Sequence, residues 1–299
     1  MICQNCKKQN KDEAIFCDFC GERLNKSKSD YSTVDGATSN DNKNKKVKKQ
    51  GYLGRAIEDI KSSDKWVKKL SLAGLCNIIP ILNFTTSGYA LNWGVNAAKK
   101  EEKQLGDKLF ENDSFKYGFF ECAIWLIYGI VFLIATQILH TTLGALIILG
   151  AVLGVIIVVA KICYNSFISL TCVYMRKEND FSAAFHIKNI WESYKKNFGK
   201  LILIYILPAL IFGLIALAIS TIIFMIFLAG QMNALVQIIN GIQYILTSPQ
   251  TFIYLVSLIS SFAAWGITSF AIFSFLGGIE KVIRYRAVGY YLLDNSEAK

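Results

Sequence analysis

Residues 201–229 read LILIYILPALIFGLIALAISTIIFMIFLA, a run of 29 residues without a charged side chain. About 20 consecutive apolar residues in a helix are enough to cross the hydrocarbon layer of a bilayer. Three further long apolar stretches occupy residues 119–139, 143–175 and 251–279. The 299 residues are 53% hydrophobic and 18% charged, which excludes a disordered or disulfide-scaffold protein. The sequence therefore predicts an all-α polytopic membrane protein with four long transmembrane helices.

The charged residues between these stretches predict the orientation of the chain. The connector at residues 140–142 and the segment 230–250 contain no Lys or Arg. Residues 176–200 contain six basic and three acidic residues, and residues 280–299 contain four basic and three acidic ones. Basic connectors stay on the cytoplasmic side of a membrane. We therefore expect both charged segments and both termini to be cytoplasmic, with the protein in the cell (inner) membrane.

Residues 70–95 form a weaker apolar run that polar residues interrupt. A single crossing here would place residues 176–200 outside the cell, against the charge rule. We therefore expect a re-entrant or shallow hairpin that turns near Pro80 to Asn83 and returns residues 97–116 to the cytoplasm. Two short crossings within the same run are the alternative.

Two segments have apolar residues at helical spacing together with a tryptophan and a lysine cluster, which is typical of amphipathic helices in the membrane interface. The apolar positions of the first are Leu53, Ala56, Ile57, Ile60 and Trp66. Those of the second are Ile187, Ile190, Trp191, Tyr194 and Phe198. Asp180 is the predicted N-cap of the second helix. A further uncharged interfacial helix is expected within residues 235–246 on the outer leaflet, with a hydrophobic loop as the alternative.

The first 24 residues have the spacing of a zinc ribbon. Cys3, Cys6, Cys17 and Cys20 follow the pattern C-x2-C-x10-C-x2-C. Two such turns aim four thiolates at one point and complete the tetrahedral sulfur shell that Zn²⁺ prefers. Four protein ligands leave no open position, so we predict one structural Zn²⁺ in a ribbon over residues 1–24. A chance cluster of thiols or a redox pair is the alternative.

Residues 25–50 separate this ribbon from the predicted membrane domain at 51–299. They are rich in Lys, Asn and Ser and have too few apolar side chains to form a core, so we predict a flexible linker. Five lysines lie within residues 43–49, and the whole chain has a net charge of +10. Next to a membrane domain, such a segment favours binding to anionic lipid. Nucleic acid is a less favoured partner because no groove-reading helix or aromatic-studded basic stripe accompanies the charge.

Three polar residues within the apolar stretches form a possible intramembrane polar site. Glu121 lies near the start of one stretch, and Lys161 and Asn165 lie one helical turn apart in the next. Ionisable groups at membrane depth are costly and often functional. The alternative for Lys161 is that its long side chain reaches the interface.

Motifs of known catalytic sites are missing from the sequence. The two histidines, His140 and His186, are far apart in the sequence, and no Walker A, H-E-x-x-H or G-x-S-x-G motif occurs. We therefore predict that the protein is not an enzyme.

The opening Met-x-Cys-x2-Cys and the following Phe-Cys-x2-Cys-Gly-x2-Leu resemble the zinc-ribbon heads of prokaryotic membrane proteins. The segments Trp66-Val-Lys-Lys-Leu70, Ile78-Ile-Pro-Ile-Leu-Asn83 and Gly88-Tyr89 resemble the start of a polytopic family whose membrane part is a domain of unknown function. The resemblance implies a zinc ribbon on a helical membrane domain and implies no activity.

These features favour a non-enzymatic scaffold or regulatory subunit of a membrane complex, whose zinc ribbon binds an unknown cytosolic or membrane protein. The alternative is a transporter or channel for small solutes or ions that uses the Pro80 hairpin together with Glu121, Lys161 and Asn165.

Overall fold

The computed structural model describes residues 51–107, 109–143, 147–240 and 249–296. These residues contain nine α-helices and one short 3-10 helix, and no strand occurs among them, so the all-helical prediction is confirmed for this part of the chain. The predicted zinc ribbon and linker lie outside the described residues. The helices are α1 (Tyr52–Ser62), α2 (Trp66–Ile78), α3 (Pro80–Ala98), α4 (Asn112–Leu143), α5 (Ile147–Glu178), α6 (Ile187–Lys196), α7 (Phe198–Gly230), α8 (Met232–Asn240) and α9 (Pro249–Ser296).

Four of these helices are long and apolar enough to cross a membrane. The candidate spans are Asp113–Leu139, Val152–Glu178, Phe198–Gly230 and Phe252–Asn295. They confirm the four predicted long apolar helices, and their length and composition are consistent with a multi-pass membrane protein. Between 0% and 22% of the residues in their most apolar windows are buried within the chain. Their remaining apolar surface is therefore suited to contact lipid.

The four spans form two antiparallel pairs. In the first pair, the Phe132 ring of α4 stacks on the Tyr164 ring of α5 with centroids 4.6 Å apart. In the second pair, the hydroxyls of Ser220 in α7 and Ser269 in α9 lie 2.6 Å apart, and Ser257 Oγ donates to Gln231 at 3.1 Å. Small hydroxyl side chains let two helix backbones approach closely inside a membrane.

The hydrophobic core lies at one end of these pairs, which we call the core end. The C-terminal part of α9 passes through it, and every residue from Val282 to Leu292 is buried. Helix α9 has 48 residues and is therefore about 72 Å long. The sequence prediction ended this apolar stretch at residue 279 and treated residues 280–299 as a charged connector. The prediction of a charged connector was wrong for the buried residues Val282–Leu292, because neighbouring helices supply partners for the charged side chains there.

Helices α2 and α3 form a hairpin, as the sequence predicted for residues 70–95. The chain turns at Ile79, and Pro80 occupies the first turn of α3, where the missing backbone N–H costs nothing. Thr86 Oγ1 donates to the Ala73 carbonyl at 3.0 Å, which links the two arms. The turn lies immediately before the predicted Pro80 to Asn83.

Glycines allow the backbones of the core helices to touch. A Cβ on Gly88 of α3 would lie 1.6 Å from the Ser114 carbonyl oxygen, and one on Gly118 of α4 would lie 1.7 Å from that of Phe84. A Cβ on Gly289 of α9 would lie 1.8 Å from the Gly94 carbonyl oxygen of α3. Helix α3 therefore packs backbone against backbone on both α4 and α9.

The loop between α3 and α4 is attached to the core end. Leu105 is 1% exposed and its N–H donates to Ser63 Oγ at 2.7 Å, while Trp93 Nε1 donates to the Gln104 carbonyl at 3.0 Å. A hydrogen bond from the Lys69 ammonium, 2.7 Å away, lowers the pKa of the Asp107 carboxyl.

The structure corrects one predicted helix boundary. Asp180 accepts a hydrogen bond from the Ser182 N–H at 3.0 Å and caps the 3-10 helix Phe181–Phe185. The amphipathic helix α6 begins only at Ile187, so the N-cap assignment for that helix was wrong. In α6, Ile190 and Tyr194 face the core, whereas Ile187 and Trp191 are exposed.

Candidate functional site

Glu121, the first residue of the predicted intramembrane site, lies buried at the core end. It is in the third turn of α4 and is 4% exposed. The Tyr285 hydroxyl of α9 donates a short hydrogen bond to Glu121 Oε1. Cys172 of α5 is also fully buried in this core.

Asn165 of α5 is connected to this region through Tyr205 of α7. Its Nδ2 donates to the Tyr205 hydroxyl of α7 at 2.7 Å. The Arg284 guanidinium of α9 lies 5.3 Å from the centre of the Tyr205 ring and 5.4 Å from that of the Tyr285 ring. Arg284 therefore lies near both Tyr205, which accepts the hydrogen bond from Asn165, and Tyr285, which donates one to Glu121.

Two further charged residues of α9 complete this group, which we call the polar cluster: Glu121, Asn165, Tyr205, Glu280, Lys281, Arg284 and Tyr285. Arg284 Nη1 lies 3.5 Å from Glu280 Oε1, one helical turn away. Lys281 Nζ donates to Ser87 Oγ at 2.7 Å and to Asn83 Oδ1 at 3.1 Å, both on α3. Two carboxylates and two cations give the polar cluster a formal charge of zero, as burial requires.

Two atoms of the polar cluster lack a hydrogen-bond partner. Among the described residues, Glu280 Oε1 and Arg284 Nε are buried and neither makes a hydrogen bond, although Glu280 Oε1 is in the ion pair with Arg284 Nη1. An unsatisfied buried polar atom costs free energy, and in native proteins it often marks a functional or strained position.

The structure does not bring Lys161 together with Glu121 and Asn165 as one site. Lys161 is exposed on α5. Because Tyr164 stacks on Phe132, Lys161 lies near the level of residue 135 of α4, about 20 Å along the helix axis from Glu121. Of the three predicted residues, Glu121 and Asn165 therefore belong to the polar cluster, and Lys161 lies on the exposed surface of α5.

A second buried ionic group joins α1, α3 and α9. Arg286, whose side chain is 0% exposed, binds Asp59 through Nε at 2.8 Å and through Nη2 at 2.7 Å. Its Nη1 donates to the Trp93 carbonyl at 2.7 Å, and the Tyr290 hydroxyl donates to Asp59. These contacts satisfy both charges, so this group fixes three helices together.

Sequence reasoning missed Glu280, Lys281, Arg284 and Arg286. The signal was present in the spacing, since Glu280 and Arg284 are four residues apart and fit one face of a continuing helix. Their high charge instead indicated a solvated connector, and only the tertiary structure shows α1, α3 and α7 covering them.

The described residues contain no group of three or more His, Cys, Asp or Glu side chains that could hold a metal ion. The predicted zinc ligands Cys3, Cys6, Cys17 and Cys20 lie outside the described residues. Cys76, Cys122, Cys163 and Cys172 are free thiols.

No curated protein and no solved structure matches the chain. Residues 72–225, just over half of the chain, match the family described as "Protein of unknown function (DUF4013)". The match begins in α2 and ends in α7, so it includes the hairpin, Glu121 and Asn165. It confirms that the membrane part resembles a family without an assigned function, and the segment predicted to be a zinc ribbon precedes the matched residues. The chain belongs to this DUF4013 family.

Proposed function

We propose that the protein is a non-enzymatic scaffold or regulatory subunit of a membrane complex, with a zinc ribbon that binds a protein partner. The observation that carries the proposal is the C-x2-C-x10-C-x2-C pattern at residues 1–24, joined by the linker of residues 25–50 to a membrane domain. A closed four-thiolate site supplies folding energy and has no open position for substrate. Binding of a protein partner is therefore the function that fits such a module best.

The buried charges of the membrane domain support this proposal. Arg286 and Asp59 hold three helices together, and Glu121 and Asn165 hydrogen-bond to tyrosines of neighbouring helices. Buried side chains with such contacts stabilise one arrangement of the helices. A membrane domain held in one arrangement is suited to anchor a zinc ribbon that binds a partner.

We propose that the core end faces the cytoplasm of a cell (inner) membrane. Arg176 donates to Asn92 and Lys196 donates to the Asn295 carbonyl at the core end, whereas the connector at residues 140–142 has neither Lys nor Arg. The positive-inside rule favours this orientation. It places the linker, the zinc ribbon and both termini in the cytoplasm, with the linker lysines near anionic lipid.

The double substitution Cys17→Ser and Cys20→Ser tests the proposed function. We expect it to remove the single zinc ion, because the two remaining thiolates cannot close the shell. We also expect loss of the proteins that crosslink to the intact chain in cells, while the membrane domain still elutes as a folded species in detergent. Zinc content by plasma mass spectrometry and crosslinked partners by proteomics are the measurements. Cys122→Ser, an exposed thiol of α4, is the matched control and should change neither. An unchanged set of partners in the zinc-free variant would refute the scaffold role.

Transport of a small solute or ion is the second candidate function. It is favoured by the buried atoms Glu280 Oε1 and Arg284 Nε, which make no hydrogen bond among the described residues and lie in the polar cluster with Glu121. Proton flux is the quantity to measure, because a buried carboxylate can bind and release a proton. If the cluster transports protons, proteoliposomes should dissipate a pH gradient, and Glu280→Gln should abolish that flux while Glu192→Gln, on the exposed face of α6, leaves it unchanged. A flux equal to that of empty liposomes would eliminate this candidate.

A further inference from the structure

An aromatic groove lies between α5, α6 and the start of α7. Its volume is about 490 Å³, within the range of sites that hold small organic ligands. The lining residues are Cys163, Tyr164, Phe167, Trp191, Tyr194, Lys195 and Phe198. Six of the seven are apolar or aromatic, and the seventh is a cation.

Hydrogen bonds and ring contacts hold this groove in shape. The Tyr194 hydroxyl lies 3.1 Å from both the Cys163 carbonyl oxygen and Ser166 Oγ, which attaches α6 to α5. The Tyr194 ring contacts Phe167 edge-on, with centroids 5.5 Å apart, and stacks on Trp191 at the same separation. Tyr194 is 4% exposed and forms the floor, whereas Trp191 and Phe198 remain 48% and 46% exposed and form the walls.

The surroundings of the groove point to a ligand that comes from the bilayer. Cys163, Tyr164 and Phe167 lie within the candidate span Val152–Glu178, so the groove opens beside a membrane helix. Its apolar lining matches an acyl chain, and partly exposed aromatic rings such as Trp191 are typical of the headgroup region.

Charge at the groove favours an anionic headgroup. The Lys195 ammonium lies 6.0 Å from the centre of the Trp191 ring, at the edge of the groove. The other charged residues of α6 are Lys188, Glu192 and Lys196, and Lys200 follows in α7. Lys196 is engaged with the Asn295 carbonyl at 2.8 Å. Four lysines against one glutamate leave this surface positive, and Lys195 is the one that lines the groove.

We propose that this groove is a binding site for one anionic glycerophospholipid, with an acyl chain against the aromatic lining and the phosphate beside Lys195. The proposal uses none of the residues of the lysine-rich linker and does not depend on the scaffold proposal.

Quenching of Trp191 by brominated lipid tests this site. The full-length protein is placed in phosphatidylcholine vesicles that contain brominated phosphatidylglycerol or, in a parallel series, brominated phosphatidylcholine. The signal of Trp191 is the difference between the wild-type protein and Trp191→Phe. We expect about fivefold selective quenching of Trp191 by the anionic lipid, which corresponds to about 1 kcal/mol for one lysine near the membrane surface.

Two lysines of α6 provide the matched comparison. Lys195→Gln should reduce the selectivity to about one, Lys195→Arg should keep it, and Lys188→Gln, on the same helix but outside the groove lining, should also keep it. Equal quenching of wild-type Trp191 by the two lipids would overturn the proposal, because it indicates ordinary contact with the bilayer. Equal loss in Lys188→Gln and Lys195→Gln would also overturn it, because it indicates diffuse surface charge.

Discussion

Replacing Gly289 with alanine is expected to prevent the core end from folding. The new Cβ would lie 1.8 Å from the Gly94 carbonyl oxygen and 3.1 Å from the Ala97 Cβ. The nearest atom belongs to the backbone of α3, so no side-chain rotation can relieve the clash. Overpacking typically costs about 1–3 kcal/mol even where side chains can adjust. We expect a larger loss here, because α3 and α9 must separate along the buried segment Val282–Leu292.

A second glycine of the same helix is the control for this prediction. A Cβ on Gly266 would meet nothing within 4 Å. Gly266→Ala should therefore keep or raise the stability, by up to about 1 kcal/mol of helix propensity. The measurements are the yield of monodisperse protein in detergent, determined by size-exclusion chromatography, and the melting temperature of that protein. Equal stability of the two variants would show that α3 and α9 do not touch at Gly94 and Gly289.

Removing one partner of the Arg286–Asp59 pair is expected to have the second largest effect. In Arg286→Met the Asp59 carboxylate stays buried without its cation, and the Trp93 carbonyl loses a donor at 2.7 Å. Breaking a buried ion pair from one side costs about 3–5 kcal/mol. Asp59→Leu should cost a similar amount. The double variant should recover part of the loss, with a coupling energy of about 2–3 kcal/mol.

The same two helices contain a matched surface pair. Arg55 Nη1 of α1 lies 3.2 Å from Asp294 Oδ2 of α9, and these side chains are 29% and 32% exposed. Arg55→Met should therefore cost no more than about 1 kcal/mol. Denaturant unfolding in detergent, followed by tryptophan fluorescence, gives all four free energies. If Arg286→Met costs no more than Arg55→Met, the buried pair does not hold α1 against α9.

The long apolar helices could be predicted from the sequence because hydrophobic length alone determines them. Residues 201–229 lack charge and became most of α7, and the interruption at Pro80 correctly indicated a turn. The end of α9 could not be predicted in this way. Its residues Glu280, Arg284 and Arg286 have the composition of a solvated segment, and their burial depends on contacts with residues far away in the sequence, such as those of Arg286 with Asp59 and of Arg284 with Tyr205.

Only part of the candidate site could be predicted for the same reason. Glu121 and Asn165 stood out because each is a polar residue in an apolar stretch, and both belong to the polar cluster. Lys161 stood out equally but is exposed, because hydropathy does not indicate which face of a helix is covered. The aromatic groove depends on how α6 packs on α5, and the spacing of Trp191, Tyr194 and Phe198 predicted only an amphipathic helix.

Labelling of single cysteines in intact cells tests the proposed membrane arrangement most directly. Reporter cysteines replace Thr141, Gln250, Lys103 and Lys188, one at a time, in a chain whose four membrane-domain cysteines are alanine. We expect a membrane-impermeant thiol reagent to label positions 141 and 250 only, because four spans and the α2–α3 hairpin leave the core end in the cytoplasm. Labelling at position 103 would contradict this arrangement, since it would make residues 70–95 a complete crossing.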